Sequence, residues 1–326
     1  MINLGLISPS KILINRFLPA VDHIKSVNIA AISVPTQNEW FGNLTSERKE
    51  LQIEKAQKIA DKYNCKLYYS HTKLIQDKKV DSVYISTPPI LHFKFIQLAL
   101  DNNKNIIVEK PICLRIEELN KIVKKSTDNN LVFHENYMFM FHKRLNYIKN
   151  YFKENLKNIR SMNIKFTFPF RGGDDFRYNL KMSGGAIFDT AGYIVKLVQF
   201  LSDFNVELKY SNINKKTGGT LFFTDSNKIN YNCQFGMDHD YRCELELHMH
   251  NQTVYIPRIF TVRSDEEAKF IIKSNNQILS EEIFIDDSFK NSVEYFLKLN
   301  SNKYSFNKSC KETIETLKVL TMLYEK

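Results

Sequence analysis

Residues 80–111 read VDSVYISTPPILHFKFIQLALDNNKNIIVEKP, and this stretch decides the fold. It opens with an apolar strand-like segment that ends in small residues and prolines. A helix-like segment follows, and then a second apolar segment that leads into Glu109-Lys110-Pro111. A strand, a helix and a strand in this order predict two parallel strands whose ends lie at one edge of a sheet. Ligands bind at such edges, so Lys110 would place a cation beside a bound molecule.

The same alternation continues on both sides of this stretch and predicts two domains. From the N-terminus to about Tyr137, strand-like and helix-like segments alternate, which is typical of a doubly wound parallel sheet. Beyond it, long segments rich in Phe, Tyr and Thr surround one clear helix at 184–203, which favours a mostly antiparallel sheet. We therefore expect an α/β domain over residues 1–137 and an α+β domain with a large open sheet over residues 138–326.

Composition excludes several classes of protein. The 326 residues carry a net charge of +10, but the lysines are spread along the chain without a recognition element, so nucleic acid is not expected as a partner. A positive surface also suits a phosphorylated small molecule. No apolar run is long enough for a membrane span, and we see no signal peptide. The five scattered cysteines indicate reduced thiols, so we expect a cytoplasmic protein without membrane association.

A second motif, SGGAIFDTAGYIVKL, lies at residues 183–197 in the predicted helix. Gly184 and Gly185 would let the backbone approach closely at the helix start. Asp189 and Tyr193 are four residues apart, so they share one helix face. His248 and His250 alternate along a predicted strand, but no acid or cysteine cluster completes a ligand set, so no metal site is predicted.

These two motifs resemble those of the Gfo/Idh/MocA oxidoreductase family, and the resemblance covers almost the whole chain. His92, Lys104 and the Glu109-Lys110-Pro111 run match the family pattern, with Asn103 where the family has glycine. Tyr193 stands where most members carry a catalytic histidine, which is similar to a subgroup of sugar-nucleotide ketoreductases. The resemblance implies a Rossmann-type first domain, NAD or NADP as cofactor, a sugar or nucleotide-sugar substrate, and a homo-oligomer, either a dimer or a tetramer.

The resemblance also implies roles for individual residues. Tyr193 would be the general acid, Lys110 would favour its phenolate and polarise the substrate oxygen, and Asp189 would orient a neighbouring hydroxyl. Substrate binding would involve Asn136, Arg177, Asp189 and Tyr193. Cofactor binding would involve Gly5, Ser8, Ser10, Lys11, Ile12, Ser33, Thr87, Pro88, His92, Glu109 and Lys110. The catalytic residues Lys110 and Tyr193 are expected to face one cleft between the domains.

The loop GLISPSKIL at residues 5–13 departs from the family pattern and leaves an alternative open. Ser8 and Ser10 occupy glycine positions, and Leu13 replaces a small residue, which narrows the approach of a pyrophosphate. The chain is thus expected to be an NAD(P)-dependent sugar oxidoreductase. The alternative is a catalytically inactive sugar- or nucleotide-binding sensor or scaffold. The segment after the second strand has neither the acid nor the arginine that would distinguish NAD from NADP; Arg48 and Lys49 follow in an insert.

Overall fold

The structure is a computed structural model that describes residues 1–173, 175–299 and 301–326. The chain divides into two compact units. The first contains Met1–Asn136 and Ser292–Glu315, and the second contains Tyr137–Asn291 and Thr316–Lys326. Each unit has its own sheet, described separately below.

The described part of the first unit contains a six-stranded parallel sheet with the strand order β3-β2-β1-β4-β5-β6. Its strands are β1 Ile2–Ile7, β2 Val27–Ser33, β3 Lys66–Tyr68, β4 Ser82–Ile85, β5 Asn105–Glu109 and β6 Phe133–Asn136. Its helices include α1 Leu18–Val21, α2 Ser46–Tyr63, α3 His71–Ile75, α4 Pro89–Asp101 and α5 Ile116–Asp128. The predicted doubly wound sheet is confirmed, and β4 and β5 are adjacent and parallel as expected.

The decisive stretch folds for local reasons that can be seen in its burial. All four residues of β4 are buried, as expected for a central parallel strand covered on both faces. The helix α4 begins with Pro89, whose missing N–H costs nothing at a first helical position. It ends before Asn103, which has a φ of 56°. Asparagine tolerates this left-handed conformation better than most residues, so it can replace the glycine of the family pattern.

The described residues of the second unit form an eight-stranded sheet in the order β14-β13-β12-β11-β7-β10-β9-β8, antiparallel except for the β7–β10 pair. Its strands are β7 Ile159–Phe168, β8 Val206–Asn214, β9 Gly218–Asp225, β10 Asn230–Met237, β11 Arg242–Met249, β12 Gln252–Pro257, β13 Ala268–Ser274 and β14 Gln277–Phe284. Its helices include α6 Lys143–Glu154, α7 Leu180–Ser183 and α8 Gly192–Leu201. The predicted mostly antiparallel sheet is confirmed.

Sequence reasoning missed several strands at the two ends of this sheet. The strands β8, β9, β13 and β14 carry no clear prediction from the sequence. Two of them, β8 and β14, are the edge strands of the sheet and bury little apolar surface. The strand β14 is exposed along almost its whole length. His250 also differs from the expectation: β11 ends at Met249, so His250 lies in the hairpin turn rather than on a strand face with His248.

The domain prediction needs one correction near the C-terminus. Two further helices, α9 Ser288–Leu299 and α10 Lys303–Glu325, follow the second sheet, and the segment Ser292–Glu315 belongs to the first unit. The reason is packing against β6: the ring of Phe306 meets that of Phe133 edge-on at 5.4 Å, and Ser292 is hydrogen-bonded to His134 at 2.8 Å. Residues 138–326 are therefore not one domain.

A buried arginine connects α6 to the second sheet. Arg144 is only 2% exposed, and its guanidinium donates to the carbonyl oxygens of Pro257, Arg258 and Lys269, each at 3.0 Å. Burial disfavours the charged form and lowers the pKa of Arg144 to about 10, so the side chain remains a cation at neutral pH. The interaction fixes the end of β12 and the start of β13 relative to α6.

We expect Arg144→Leu to lower the free energy of unfolding by about 3 kcal/mol, because three carbonyl oxygens lose a charged donor in a buried place. Urea unfolding followed by circular dichroism measures the change. The matched control is Arg160→Leu on the exposed part of β7, which should change stability by less than about 0.5 kcal/mol. Equal urea midpoints for Arg144→Leu and Arg160→Leu would contradict the role of Arg144.

Candidate functional site

The loop after β1 keeps a glycine-like backbone although it carries serine. Ser8 has a φ of 74°, which is the left-handed region that favours glycine. Its N–H donates to the carbonyl oxygen of Ser33 at 3.2 Å. The Ser8 side chain is nearly buried, and its hydroxyl makes a long contact of 3.5 Å with Gln52 of α2. Ser8 was expected to narrow the approach of a pyrophosphate to the loop. This effect is reduced, because the Ser8 side chain packs against α2.

The hydroxyl of Ser10 also forms a hydrogen bond within the protein. Its hydroxyl accepts the N–H of Leu13 at 3.1 Å and caps the helix that begins at Lys11. Residues Leu13–Phe17 form a π-helical turn in which Leu13 is fully buried. Pro19 follows and lacks the N–H that an α-helix would require at this point. The large Leu13 side chain is therefore accepted in a widened turn and does not prevent the helix from packing.

Gly5 has a packing role, and its predicted contact with the cofactor stays a prediction. It lies within β1, where an added Cβ would come within 2.5 Å of the Leu74 side chain and 3.0 Å of Val80. The glycine allows α3 to approach the sheet. Of the other predicted loop residues, Lys11 is exposed and Ile12 is half-buried at the start of the helix.

The end of β2 offers no free side chain to a ligand. Ser33 is fully buried, and its hydroxyl lies 2.8 Å from Nδ1 of His71 and 3.3 Å from the carbonyl oxygen of Leu6. Burial lowers the pKa of His71 to about 4, so the ring is neutral at physiological pH. Ser33 was predicted to contact the cofactor, but its side chain is enclosed, because its hydroxyl is hydrogen-bonded to His71 of α3 and to Leu6 of β1.

Glu39 is the acid nearest in sequence to the end of β2, and its carboxylate is hydrogen-bonded within the protein. Its carboxylate accepts the Ser70 hydroxyl and the backbone N–H groups of Thr36, His71 and Thr72, at 2.8 to 3.0 Å. Burial opposes the charge, but these hydrogen bonds outweigh it and lower the pKa of Glu39 to about 2. The acid thus caps α3 and anchors the segment that follows β2.

The loops after β4 and β5 are tied together by His92. The ring is fully buried, with Nδ1 at 2.8 Å from the carbonyl oxygen of Pro111 and Nε2 at 2.7 Å from that of Thr87. Burial lowers the pKa of His92 to about 4. The prediction that His92 binds the cofactor stays a prediction; its buried ring joins the loops after β4 and β5 by these two hydrogen bonds. Thr87 itself is 5% exposed and is followed by the half-buried Pro88.

Glu109 lies at the centre of a buried polar network that precedes Lys110. One carboxylate oxygen accepts the Tyr84 hydroxyl and the Asn136 side-chain amide, both at 2.7 Å. The Asn136 oxygen in turn accepts the Ser292 hydroxyl at 2.8 Å. Burial raises the pKa of Glu109, although these donors oppose the shift. Asn136 was predicted to bind substrate, but it is 3% exposed and its side chain joins β5, β6 and α9.

In the second unit, Arg177 joins two of the acids near the glycine pair. Its Nε donates to Asp189 at 3.0 Å, and its terminal nitrogen Nη1 donates to both oxygens of Asp175 at 3.1 Å. Burial disfavours the charge of Arg177, but Asp189 and Asp175 outweigh this effect and raise its pKa. The predicted neighbours Arg177 and Asp189 are thus in direct contact, whereas Asp175 was not predicted despite being two residues from Arg177.

Both glycines at 184 and 185 are required by close contacts. Their φ values are 75° and 69°. An added Cβ would come within 2.3 Å of the Phe188 ring at Gly184 and within 2.2 Å of the Lys215 carbonyl oxygen at Gly185. The expectation of close backbone approach is therefore correct. The helix that follows starts with a π-helical turn over Ile187–Ala191, which contains Asp189, and continues as α8.

Tyr193 is held in a cage of aromatic rings. The rings of Tyr137, Phe139, Phe166 and Phe260 have centroids between 4.9 and 5.6 Å from that of Tyr193. These contacts restrict the ring and leave the residue half-buried. The cage was not predicted, because its members come from segments far apart in the sequence.

Gly192 has a packing role at the start of α8. An added Cβ at this position would come within 2.2 Å of the Tyr137 hydroxyl oxygen. The glycine therefore allows Tyr137, a member of the cage, to approach the first turn of α8.

The predicted catalytic residues fall in both units: Lys110 follows β5 in the first, and Asp189 and Tyr193 lie in the second. The expectation that Lys110 and Tyr193 face one cleft stays a prediction. Across the described ranges, no group of three His, Cys, Asp or Glu side chains could hold a metal ion. No helix in these ranges combines the length and apolar character needed to cross a membrane.

Two features of the first unit are compatible with a bound dinucleotide. Ser8 has the glycine-like φ of a phosphate-binding loop, directly before a helix whose first N–H groups lie at the sheet edge. The hydroxyl oxygen of Thr87, at the end of β4, is buried and has no hydrogen-bond partner among the described residues. A buried polar atom without a partner at the ligand-binding edge is what a bound polar group would satisfy.

Comparisons with known proteins agree with this geometry. Residues 49–137 match the family GFO_IDH_MocA, described as an oxidoreductase family with an NAD-binding Rossmann fold. The chain is 22% identical over 294 residues to the dTDP-3,4-didehydro-2,6-dideoxy-alpha-D-glucose 3-reductase of Actinomadura kijaniata, covering 85% of this chain and 84% of the relative. The enzyme of the same name from Streptomyces violaceoruber is 27% identical over 196 residues, or 58% and 57% of the two chains.

A solved structure shows the same fold over nearly the whole length. The structure of KijD10, a 3-ketoreductase from Actinomadura kijaniata in complex with NADP and TDP-benzene, matches with a TM-score of 0.86. The match has 20% sequence identity and covers 98% of this chain and 95% of that chain. Residues 49–137 are therefore similar to the Gfo/Idh/MocA oxidoreductase family, and the chain shares its fold with the 3-ketoreductase over nearly its whole length.

Proposed function

We propose that the chain is an NAD(P)-dependent oxidoreductase that reduces the keto group of a nucleotide-linked sugar. The observation that carries the proposal is Tyr193, a phenol fixed by an aromatic cage, one helical turn after Asp189 in its ion pair with Arg177. A phenol held in one orientation is suited to proton transfer, and the charged pair is suited to sugar hydroxyls. The 3-reductase activity named for the two relatives supports a nucleotide-linked substrate.

In the reductive direction, each group has one task. A bound NAD(P)H would supply the hydride that adds to the carbonyl carbon. Tyr193 would donate its phenolic proton to the carbonyl oxygen, so that the ketone becomes a secondary alcohol, and would regain a proton from water. Lys110 would place its positive charge beside the same oxygen, and the Glu109 network would hold the backbone from which Lys110 extends.

Other residues would hold the two ligands. The backbone from Ser8 to Ile12 and the Thr87 hydroxyl would contact the cofactor at the strand edge. Asp189 would accept a hydrogen bond from a sugar hydroxyl, and the hydrogen bond from Arg177 holds its carboxylate in one orientation. Asn136, His92 and Ser33 would act indirectly, because their side chains are buried in the unit that carries them.

The alternative of an inactive sensor is not favoured. It was motivated by Ser8 and Ser10, yet the first keeps the glycine-like backbone and the second caps the following helix. Neither serine therefore requires the loss of dinucleotide binding. Lys110, Asp189 and Tyr193 are also retained.

We expect Tyr193→Phe to lower kcat by roughly 10²- to 10⁴-fold, because the variant keeps the aromatic cage and lacks the proton donor. The assay follows NADPH oxidation with a dTDP-linked 3-keto sugar. The affinity for NADPH, measured by calorimetry, should be unchanged. The matched control is Tyr151→Phe, whose hydroxyl lies 3.8 Å from the Met249 sulfur and is outside the proposed site. Unchanged kcat in Tyr193→Phe would remove Tyr193 from the mechanism.

The two serines of the loop should respond differently to substitution. Ser8→Gly should stabilise the protein by up to about 1 kcal/mol, because it relieves the left-handed conformation, and should preserve or improve NADPH binding. Ser10→Ala should destabilise it by about 1 kcal/mol through loss of the helix cap. Thermal unfolding with and without NADPH measures both effects. A loss of NADPH binding in Ser8→Gly would show that the loop does not act as proposed.

A further inference from the structure

The nucleotide-binding edge of the first unit lacks a free acid where a ribose would be held. The N–H of Ser8 donates to the carbonyl oxygen of Ser33, so the ends of β1 and β2 are adjacent. In dinucleotide-binding folds, an acid after β2 holds the ribose 2′-hydroxyl of NAD, and a nearby arginine accommodates the 2′-phosphate of NADP. Here Ser33 is enclosed, and Glu39 is committed to four donors of the protein.

The segment between β2 and α2 is anchored at several points and therefore defines where α2 begins. Glu39 bonds to the start of α3, and the Lys94 ammonium donates to the carbonyl oxygen of Asn38 at 2.9 Å. The side chain of Gln37 bridges Gly42 and Leu44 at 2.9 and 3.1 Å. The insert is thus an ordered connection, which places the first turn of α2 in a defined position.

The helix α2 turns one face toward the loop after β1. Gln52 of this helix contacts the Ser8 hydroxyl at 3.5 Å. Arg48 precedes Gln52 by four residues and therefore lies on the same face, one turn closer to the N-terminus of α2. Arg48 is exposed, and within the described ranges its guanidinium forms no ion pair. Lys49 is also exposed but points about 100° away around the helix.

We propose that Arg48 binds the 2′-phosphate of NADP(H) and makes the enzyme selective for this cofactor over NAD(H). This inference rests on the proposed function, because it assumes that the first unit binds a dinucleotide. A guanidinium offers two parallel donors to a phosphate, and no free carboxylate at the end of β2 would repel the additional negative charge. Arg48 thus provides, from α2, the arginine that the segment directly after β2 lacks.

Calorimetric titration of the full-length chain with NADPH and NADH tests this assignment without any assay of turnover. The wild type should bind NADPH roughly 10- to 100-fold more tightly than NADH. Arg48→Ala should lose that factor for NADPH and keep the affinity for NADH. Arg48→Lys should retain part of it, because the charge remains but the planar donor pair is lost. Adenosine 2′,5′-bisphosphate and AMP, as smaller probes, should show the same contrast.

Lys49→Ala is the matched control, since it removes a neighbouring exposed cation from another side of α2. It should leave the ratio of the two affinities unchanged. Equal loss of NADPH affinity in Lys49→Ala and Arg48→Ala would overturn the assignment, and so would an equal loss of NADPH and NADH in Arg48→Ala. A wild type that binds both cofactors equally would refute the selectivity but not the proposed function. A wild type that binds neither would refute both.

Discussion

The hydrogen bonds to one carboxylate oxygen of Glu109 are the constraint on which the proposed cofactor-binding edge of the first sheet depends. This oxygen joins Tyr84 on β4 and Asn136 on β6 to β5, and the Ser292 hydroxyl extends the network to α9. The Tyr84 ring stacks on Phe17 at 3.7 Å, in the π-helical turn after the Ser8 loop. Burying a carboxylate costs free energy unless hydrogen bonds compensate for the lost water. Because separating the strands would remove these hydrogen bonds, they hold β4, β5 and β6 together directly before Lys110.

In the second unit, close packing and an ion pair hold the proposed functional residues in position. Gly184 and Gly185 bring the chain against Phe188 and the Lys215 carbonyl, and this places the π-helical turn that carries Asp189. Arg177 then fixes Asp189 by a direct hydrogen bond, while aromatic rings fix Tyr193 in the next helix. In both units, contacts within the protein thus hold the proposed functional groups in fixed positions, which limits the ordering required on binding.

The fold could be predicted from sequence because apolar periodicity and motif order carry it, as in β4, α4 and β5. Individual side-chain roles were harder to predict, because they depend on contacts between distant segments. Ser33, His92 and Asn136 were expected to touch ligands; this stays a prediction, and their side chains are buried and hydrogen-bonded within the first unit. Ser8 illustrates the same limit: its residue type suggested a damaged loop, whereas its φ of 74° preserves the loop geometry. The cage around Tyr193 had no local sequence signal.

The proposed reaction is hydride transfer between a nicotinamide cofactor and a sugar carbon, with Tyr193 as the proton donor. The most direct measurement uses NADPH with deuterium at C4, prepared separately for each face of the ring, and a dTDP-linked keto sugar. Mass spectrometry and NMR of the product locate the label. We expect one deuterium on the former carbonyl carbon, from one face of the cofactor only. A reduced sugar without deuterium at that carbon, or no reduced sugar with either cofactor, would contradict the proposed reaction.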